Sequence, residues 1–376
     1  MMNGAAKGHG SYTISPNAKI LIVLLLSTAA PILLFFYPQI RRSTDLLHTV
    51  YAVRGGDSNQ LLVATRPLLV FLAAYLPYDP GLTLSVVSAL SHLLGVYLVF
   101  RLNRDLFGPS EGIAMAFLLT TNHAVMLNAA APNADVPAMT ASILLQYLAI
   151  VEVLLRGSSN SRRLVGIGLL AGALVLLRET VLSTIAGIAL FLLLHQRSPR
   201  QALLWLTAST AVPIVWQIYA MNWIGISYLD QLKTGIAIST SYSAVPYNPV
   251  KVLGYLLDGI TPLMLLASAI GLLFDDAEWR LKAALLIGGP SVILAAFWPA
   301  IYEPRVVVIA MPGLSFVAGR GLVVIANRLI DGPLLKRRFG VAAFALLMLI
   351  HVSFNYYLAY ANNGGRFSPI TDLLFR

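Results

Sequence analysis

The residues able to do chemistry lie in short polar breaks between long apolar runs. Residues 43–79, STDLLHTVYAVRGGDSNQLLVATRPLLVFLAAYLPYD, hold Asp45, His48, Asp57 and Arg66. Asp45 and His48 are three apart, hence neighbours if the stretch is helical. Leu46, Leu47, Val50 and Tyr51 would then form an apolar face suited to lying on a membrane. Asp57 follows a Gly-Gly turn, and Arg66-Pro67 closes the segment. A second break, APNADVPAM, sets Asp135 between two prolines, where it would serve equally as the N-cap of the helix that follows. Arg178 and Glu179 interrupt a nearly continuous apolar stretch. Isolated charges at membrane depth cost ~2.5–3.5 kcal/mol each, so they face a cavity or pair with something. Helix neighbours do not face each other, so at least one has another partner. Glu303 and Arg305 flank Pro304 just before another apolar run. An Arg at a helix start opposes the dipole and calls for an anionic neighbour, Glu303 or an acid elsewhere.

Acids (Asp45, Asp57, Asp135, Glu179, Glu303) thus accompany guanidinium groups (Arg66, Arg178, Arg305). A carboxylate serves as a general base, and Arg grips phosphate bidentately. The combination beside lipid suits transfer of a group from a membrane-anchored phosphate carrier. The plainer alternatives are interfacial charges, a helix cap and structural salt bridges. There is no cysteine, which excludes a disulfide, a thiol nucleophile and a thiolate metal site.

The elements that must position these groups are membrane helices. Hydrophobic residues make up 58% of 376 positions and charged residues 11%, with a mean hydropathy of +0.77; soluble domains carry about a quarter charged residues. The apolar excess recurs in runs of roughly 20 residues, each enough to cross ~30 Å of hydrocarbon. The expected spans are 18–38, 80–100, 111–130, 137–155, 163–178, 181–195, 202–222, 251–273, 282–299, 305–326 and 340–360. This makes an all-α polytopic bundle of about eleven spans, a single transmembrane domain over 1–376 without a separate soluble domain. The first run is too long for a signal-peptide core and is read as a retained span. The short run from Pro67 to Tyr75 is expected at the interface.

The net charge of +10 is scattered through short loops, a positive-inside pattern rather than a nucleic-acid surface. It places the N-terminus in the cytoplasm and two long segments, 39–79 and 223–250, outside the cell or inner membrane. Function is expected on that outer face, because long loops carry binding and catalysis.

In these residues the chain resembles the membrane-integral C-type glycosyltransferases, the superfamily of protein O-mannosyltransferases, the lipid A aminoarabinose transferase and the oligosaccharyltransferase catalytic subunit. The series Asp45, His48, Tyr51, Ala52, Gly55, Gly56, Arg66, Pro67, Leu68 is similar to the superfamily's first outer loop. LNRDLFG (102–108), NADVPAMTASILLQYLAI (133–150), LLRETVLSTIAGIALFLLL (176–194) and YEPRVVVIAMPGLSFVAGRGL (302–322) match later segments in order. The chain departs from the pattern in a shorter Asp45–Gly55 spacing, a single Pro after Arg66, no Asp-X-Asp and no large C-terminal soluble domain.

The resemblance implies a polyprenyl-phosphate sugar donor and a glycan, lipid or protein acceptor. It makes Asp45 the base that activates the acceptor in an inverting attack, with Asp57 and Asp135 as rivals. Arg305, Arg178 and Arg66 become phosphate ligands, and His48, Glu179 and Tyr302 further site residues. No cofactor is firmly implied; a divalent metal is compatible but not indicated. Segment 223–250, with Tyr228, Lys233, Tyr242 and Tyr247, is placed to close over the donor or simply to pack on the bundle. The competing readings are a transporter or flippase of an anionic lipid or solute, and a non-catalytic subunit of a membrane assembly. A transporter is expected to show two related halves with matching broken helices, and the sequence shows none.

Overall fold

A computed structural model of the chain describes residues 26, 28, 29, 32, 44–57, 62–155, 161–242, 249–274, 277–297, 304–331 and 334–362, and these are helical with connecting turns. Two short helices come first, α1 (Asp45–Arg54) and α2 (Pro67–Tyr75). Next are α3 (Pro80–Leu106), α4 (Pro109–Thr121), α5 (His123–Ala129) and α6 (Asp135–Gln146), the last extended by wider turns to Leu155. Then come α7 (Ser161–Val175), α8 (Val181–Leu190), α9 (Pro199–Tyr219) and α10 (Tyr228–Tyr242). The chain continues through α11 (Pro249–Ile260), α12 (Pro262–Leu273), α13 (Glu278–Ala283) and α14 (Gly289–Ala296). A 3₁₀ turn, Pro304–Ile309, and the short α15 (Met311–Leu314) lead to α16 (Ala318–Ile330) and α17 (Leu334–Asn362).

Proline starts α2, α3, α4, α9, α11 and α12. At the first helical position its missing N–H costs nothing and its fixed φ is already helical. Glycine closes the wide-turn extension of α9, where Gly225 takes φ 77°.

Among the described residues, four helices are long and apolar enough to cross a membrane: Pro80–Leu106, Pro199–Ile224, Glu278–Ala296 and Lys336–Ala361. Two bent pairs raise the number to six if each is one span, and Asp135–Val151 and Val181–His195 are shorter apolar helices. The expected eleven is therefore not established. Of the first expected span only four residues are described, and Ile32 among them packs with Ala129 and Ala130. The expected single helix over 305–326 is instead a 3₁₀ turn, a short helix and α16; Pro312, with no N–H to donate back to Val308, breaks the ladder between the first two.

The two bends are joined. Asn122 ends α4, caps α5 through its Oδ1 to Val125 N (3.1 Å), and donates Nδ2 to the carbonyls of Gly259 (2.9 Å) and Ile260 (3.3 Å). Those carbonyls are released by the second break, where Thr261 takes φ 73° before Pro262. The pairs bend by 66° and 96°. One amide side chain therefore satisfies backbone groups at both breaks, as an apolar interior requires.

Candidate functional site

At one end of the bundle α1 and α2 lie together, held from both sides. Thr44 caps α1 by accepting from Leu47 N (3.1 Å), and its hydroxyl donates to Pro132 O (2.8 Å). The residue before Asp45 is thus tied to the turn that ends on Asp135. At the other end of α1, the Arg54 guanidinium donates to Ala74 O (3.0 Å), Ala73 O (3.3 Å), Leu76 O and Tyr78 O, covering the last carbonyls of α2. Tyr51 adds a hydrogen bond to Asp79 (3.1 Å), whose other oxygen caps α3 at Leu82 N (2.8 Å).

The helix expected around Asp45 and His48 is present, with both residues exposed on it. Its apolar face is divided between protein and the surface. Leu46 and Val50 are buried against Leu69, Val70, Ala73 and Leu84, while Tyr51 is exposed. Burying such side chains stabilises by ~1.5–3 kcal/mol each, so protein packing fixes the pose of α1. Asp57 is exposed after the Gly55-Gly56 turn, in which Gly56 takes φ 94°. Only glycine adopts that φ without strain.

Asp135 is not an N-cap. It is the first residue of α6, and its carboxylate is ion-paired with Arg178, both side chains under a tenth exposed. Arg178 and Glu179 sit in the turn between α7 and α8. Glu179 pairs with Arg66 at 3.4 Å, and Arg178 Nε lies 4.0 Å from the same carboxylate oxygen. Both residues have the external partners that their adjacency demanded. The result is an alternating chain, Asp135–Arg178–Glu179–Arg66, whose formal charges cancel. Burial opposes ionisation of Glu179, but the Arg66 and Arg178 guanidinium groups outweigh it and hold its carboxyl below the usual range.

Aromatic and amide side chains hold the backbone two residues before Arg66. Trp216 of α9 donates Nε1 to Ala64 O (2.8 Å), and Gln231 of α10 accepts from Ala64 N (2.9 Å). Tyr228, at the start of α10, packs into the same cluster as Leu62, Val63, Ala64 and Leu177. Burial raises its phenol pKa, with the nearby Glu179 charge adding to the effect. Segment 223–250 therefore does reach the first loop, through α10; Lys233 lies on that helix, Tyr242 ends it, and Tyr247 lies outside the described residues.

The structure brings Asp135, Arg178, Glu179 and Arg66 together and ties Asp45 to them through Thr44. Arg305 lies in the 3₁₀ turn that packs on α6 and α11, without a described side chain. Tyr302 and Glu303 lie outside the described residues. Arg54 and the buried Asp258 of α11 were not singled out from sequence. Asp258 had the same signal as Arg178 and Glu179, an acid inside an apolar run; Arg54 had only its place before Gly-Gly. Among the described residues no three His, Asp or Glu side chains gather as a metal site.

The far end of the bundle is held by sequence-matched segments too. Asn103 donates to Ser315 O (2.7 Å), and Arg320 pairs with Glu111 at 3.0 Å. LNRDLFG and the Ala-Gly-Arg-Gly-Leu segment thus pack through polar contacts separate from the Asp135 cluster.

Residues 67–219 match the family described as dolichyl-phosphate-mannose-protein mannosyltransferase. No curated protein matches the chain. Among solved structures, ArnT from Cupriavidus metallidurans bound to undecaprenyl phosphate is similar with a TM-score of 0.59 and 11% identity, covering 93% of this chain and 73% of that one. The Archaeoglobus fulgidus oligosaccharyltransferase tethered to an acceptor peptide gives 0.57 at 14% identity, covering 94% and 56%. The oligosaccharyltransferase AglB from the same organism, in complex with an inhibitory peptide and a dolichol-phosphate, gives 0.51 at 14%, with the same coverage. The chain thus spans little more than half the length of the archaeal enzyme. In architecture, this chain has the fold of the membrane-integral C-type glycosyltransferase superfamily.

Proposed function

We propose that the chain is a glycosyltransferase moving a sugar from a polyprenyl-phosphate donor to an acceptor at the α1–α2 end of the bundle, outside the cell or inner membrane. The observation that carries this reading is the hydrogen bond from Thr44 to Pro132, which joins Asp45 to the buried Asp135–Arg178–Glu179–Arg66 cluster. The bound lipid phosphates of similar structures support the donor class.

In the proposed step the acceptor oxygen attacks the anomeric carbon and its proton passes to Asp45. The bond from that carbon to the phosphate oxygen breaks, and the electron pair leaves with the polyprenyl phosphate. Attack opposite the leaving group inverts the centre. Because Asp45 is exposed while the other acids of the cluster are ion-paired, it is the carboxylate free to take a proton. Arg66 and Arg178 are matched by acids, so the surplus positive charge for the phosphate is assigned to Arg305.

Two measurements test this reading. Wild-type protein incubated with polyprenyl-phosphate mannose, glucose and galactose should release polyprenyl phosphate with at least one; no turnover with any, in the presence of peptide, glycan and lipid acceptors, sinks the enzyme reading in favour of a transporter or a subunit. Arg305→Ala should weaken donor binding more than Arg305→Lys, since only Arg offers the bidentate fork. Wild-type binding by both variants would remove Arg305 from the phosphate site.

A further inference from the structure

Three segments distant in sequence each bring one buried, unsatisfied polar atom to the same spot. These are Arg66 Nε, Glu179 Oε2 and Tyr228 Oη, none of which has a hydrogen-bond partner among the described residues. Arg66 and Glu179 are in contact at 3.4 Å through their other atoms. Tyr228 belongs to the same apolar cluster as Leu177, two residues before Glu179, and Leu62 to Ala64, just before Arg66, and its phenol lies within electrostatic reach of both Glu179 and Arg66. Buried polar groups in native proteins are almost always satisfied, so three orphans in one cluster point to an occupant.

The chemistry of the three atoms selects among occupants. Glu179 offers an acceptor, Arg66 a donor, and Tyr228 a hydroxyl that does either. A phosphate would meet the Glu179 carboxylate head-on. A metal cation would find one acid beside two guanidinium groups. A neutral polyol satisfies all three, because each of its hydroxyls both donates and accepts. Anchoring is provided by Trp216 and Gln231, which fix Ala64 on both of its backbone polar atoms.

We infer that Glu179, Arg66 and Tyr228 form a subsite for hydroxyl groups of the transferred sugar, and so determine which sugar the protein takes. This rests on the proposed function for the identity of the ligand, but its test is read in binding as well as in turnover. The pairs Asp135–Arg178 and Arg66–Glu179, with the Thr44–Pro132 hydrogen bond, link the subsite to Asp45 through protein contacts.

The experiment compares wild type, Tyr228→Phe and Glu179→Gln in detergent. Ligands are sugar-free polyprenyl phosphate, the best-bound of its mannose, glucose and galactose derivatives, and the singly deoxygenated forms of that derivative. Wild type should bind one deoxy form about 10-fold or more weakly than the parent, because removing a hydroxyl strands protein polar atoms. Tyr228→Phe should bind the parent about 5–10-fold more weakly, no longer distinguish that deoxy form, and bind sugar-free lipid as wild type does. Glu179→Gln, which keeps the shape, provides the same comparison if Tyr228→Phe does not fold. Full discrimination by both variants at every hydroxyl would overturn the subsite and leave ordered water as the occupant. Equal weakening for sugar-free and sugar-bearing lipid would reduce the residues to a structural role. If wild type discriminates among sugars yet transfers none, the subsite stands and the enzymatic reading fails instead.

Discussion

Asp45 and Asp135 are both acids near one turn, yet the structure gives them opposite situations. Asp45 is exposed on α1, whereas Asp135 is buried against Arg178. Asp45→Asn should lower turnover by ~10²–10⁴ while donor binding persists, the signature of a lost base. Asp57→Asn should cost less, and single-turnover assays on both variants decide between them. An active Asp45→Asn beside an inactive Asp57→Asn would move the base. Asp135→Asn should act differently, by removing the closest counter-charge of a buried guanidinium, which destabilises by up to ~3–5 kcal/mol. Adding Arg178→Met should recover much of that loss in thermal unfolding, since the buried charges that remain, Glu179 and Arg66, pair with each other. Acid is expected to destabilise the cluster as well. Because the folded pKa of Glu179 is depressed, its contribution is present above the ordinary value of ~4.3 and is lost as pH falls through the folded one. Glu179→Gln should remove that part of the acid sensitivity.

Helices in this bundle are placed by what happens at their ends and crossings. Asn122 serves two breaks at once, so Asn122→Ala should leave two buried carbonyls unsatisfied at about 1–3 kcal/mol each. A fall in thermal stability with no preferential loss of donor binding is the expected result; unchanged stability would mean that the breaks are satisfied otherwise. Close packing sets the second constraint. α12 and α16 meet through Gly271 and Gly321, where an added Cβ would collide with backbone atoms of Val317 and Ala267. Such backbone contact is how membrane helices associate without a hydrophobic driving force. The row Tyr75, Phe71, Trp216, Tyr219 and Trp223 runs ring to ring at 5.6–6.4 Å along α2 and the end of α9. Aromatic rings gather at membrane–water boundaries, and this row is expected at that level.

For the molecule as a whole, the proposed orientation has one sharp test. The native chain has no cysteine, so a single Ser161→Cys or Tyr78→Cys variant reports the side of the membrane on which it lies. With the N-terminus in the cytoplasm, Tyr78→Cys should react with an impermeant thiol reagent in intact cells, and Ser161→Cys only after permeabilisation. The reverse pattern would invert the bundle and place the site inside.

The sequence by itself determined the class and most helix positions. Apolar runs must be helical in hydrocarbon, and α3, α8, α9 and α17 lie where those runs placed them. It also identified Arg178–Glu179 as charges needing partners, because an isolated charge in an apolar run is energetically untenable. It could not say which partners. Asp135 and Arg66 are 43 and 113 residues away from theirs in the chain, and no local rule connects such distances. The bends at Asn122 and Thr261 were likewise illegible, since one side chain's reach across helices satisfies the broken ladder. The apolar face of α1 reads the same whether membrane or protein covers it. Only the packing of α2 and α3 decided that.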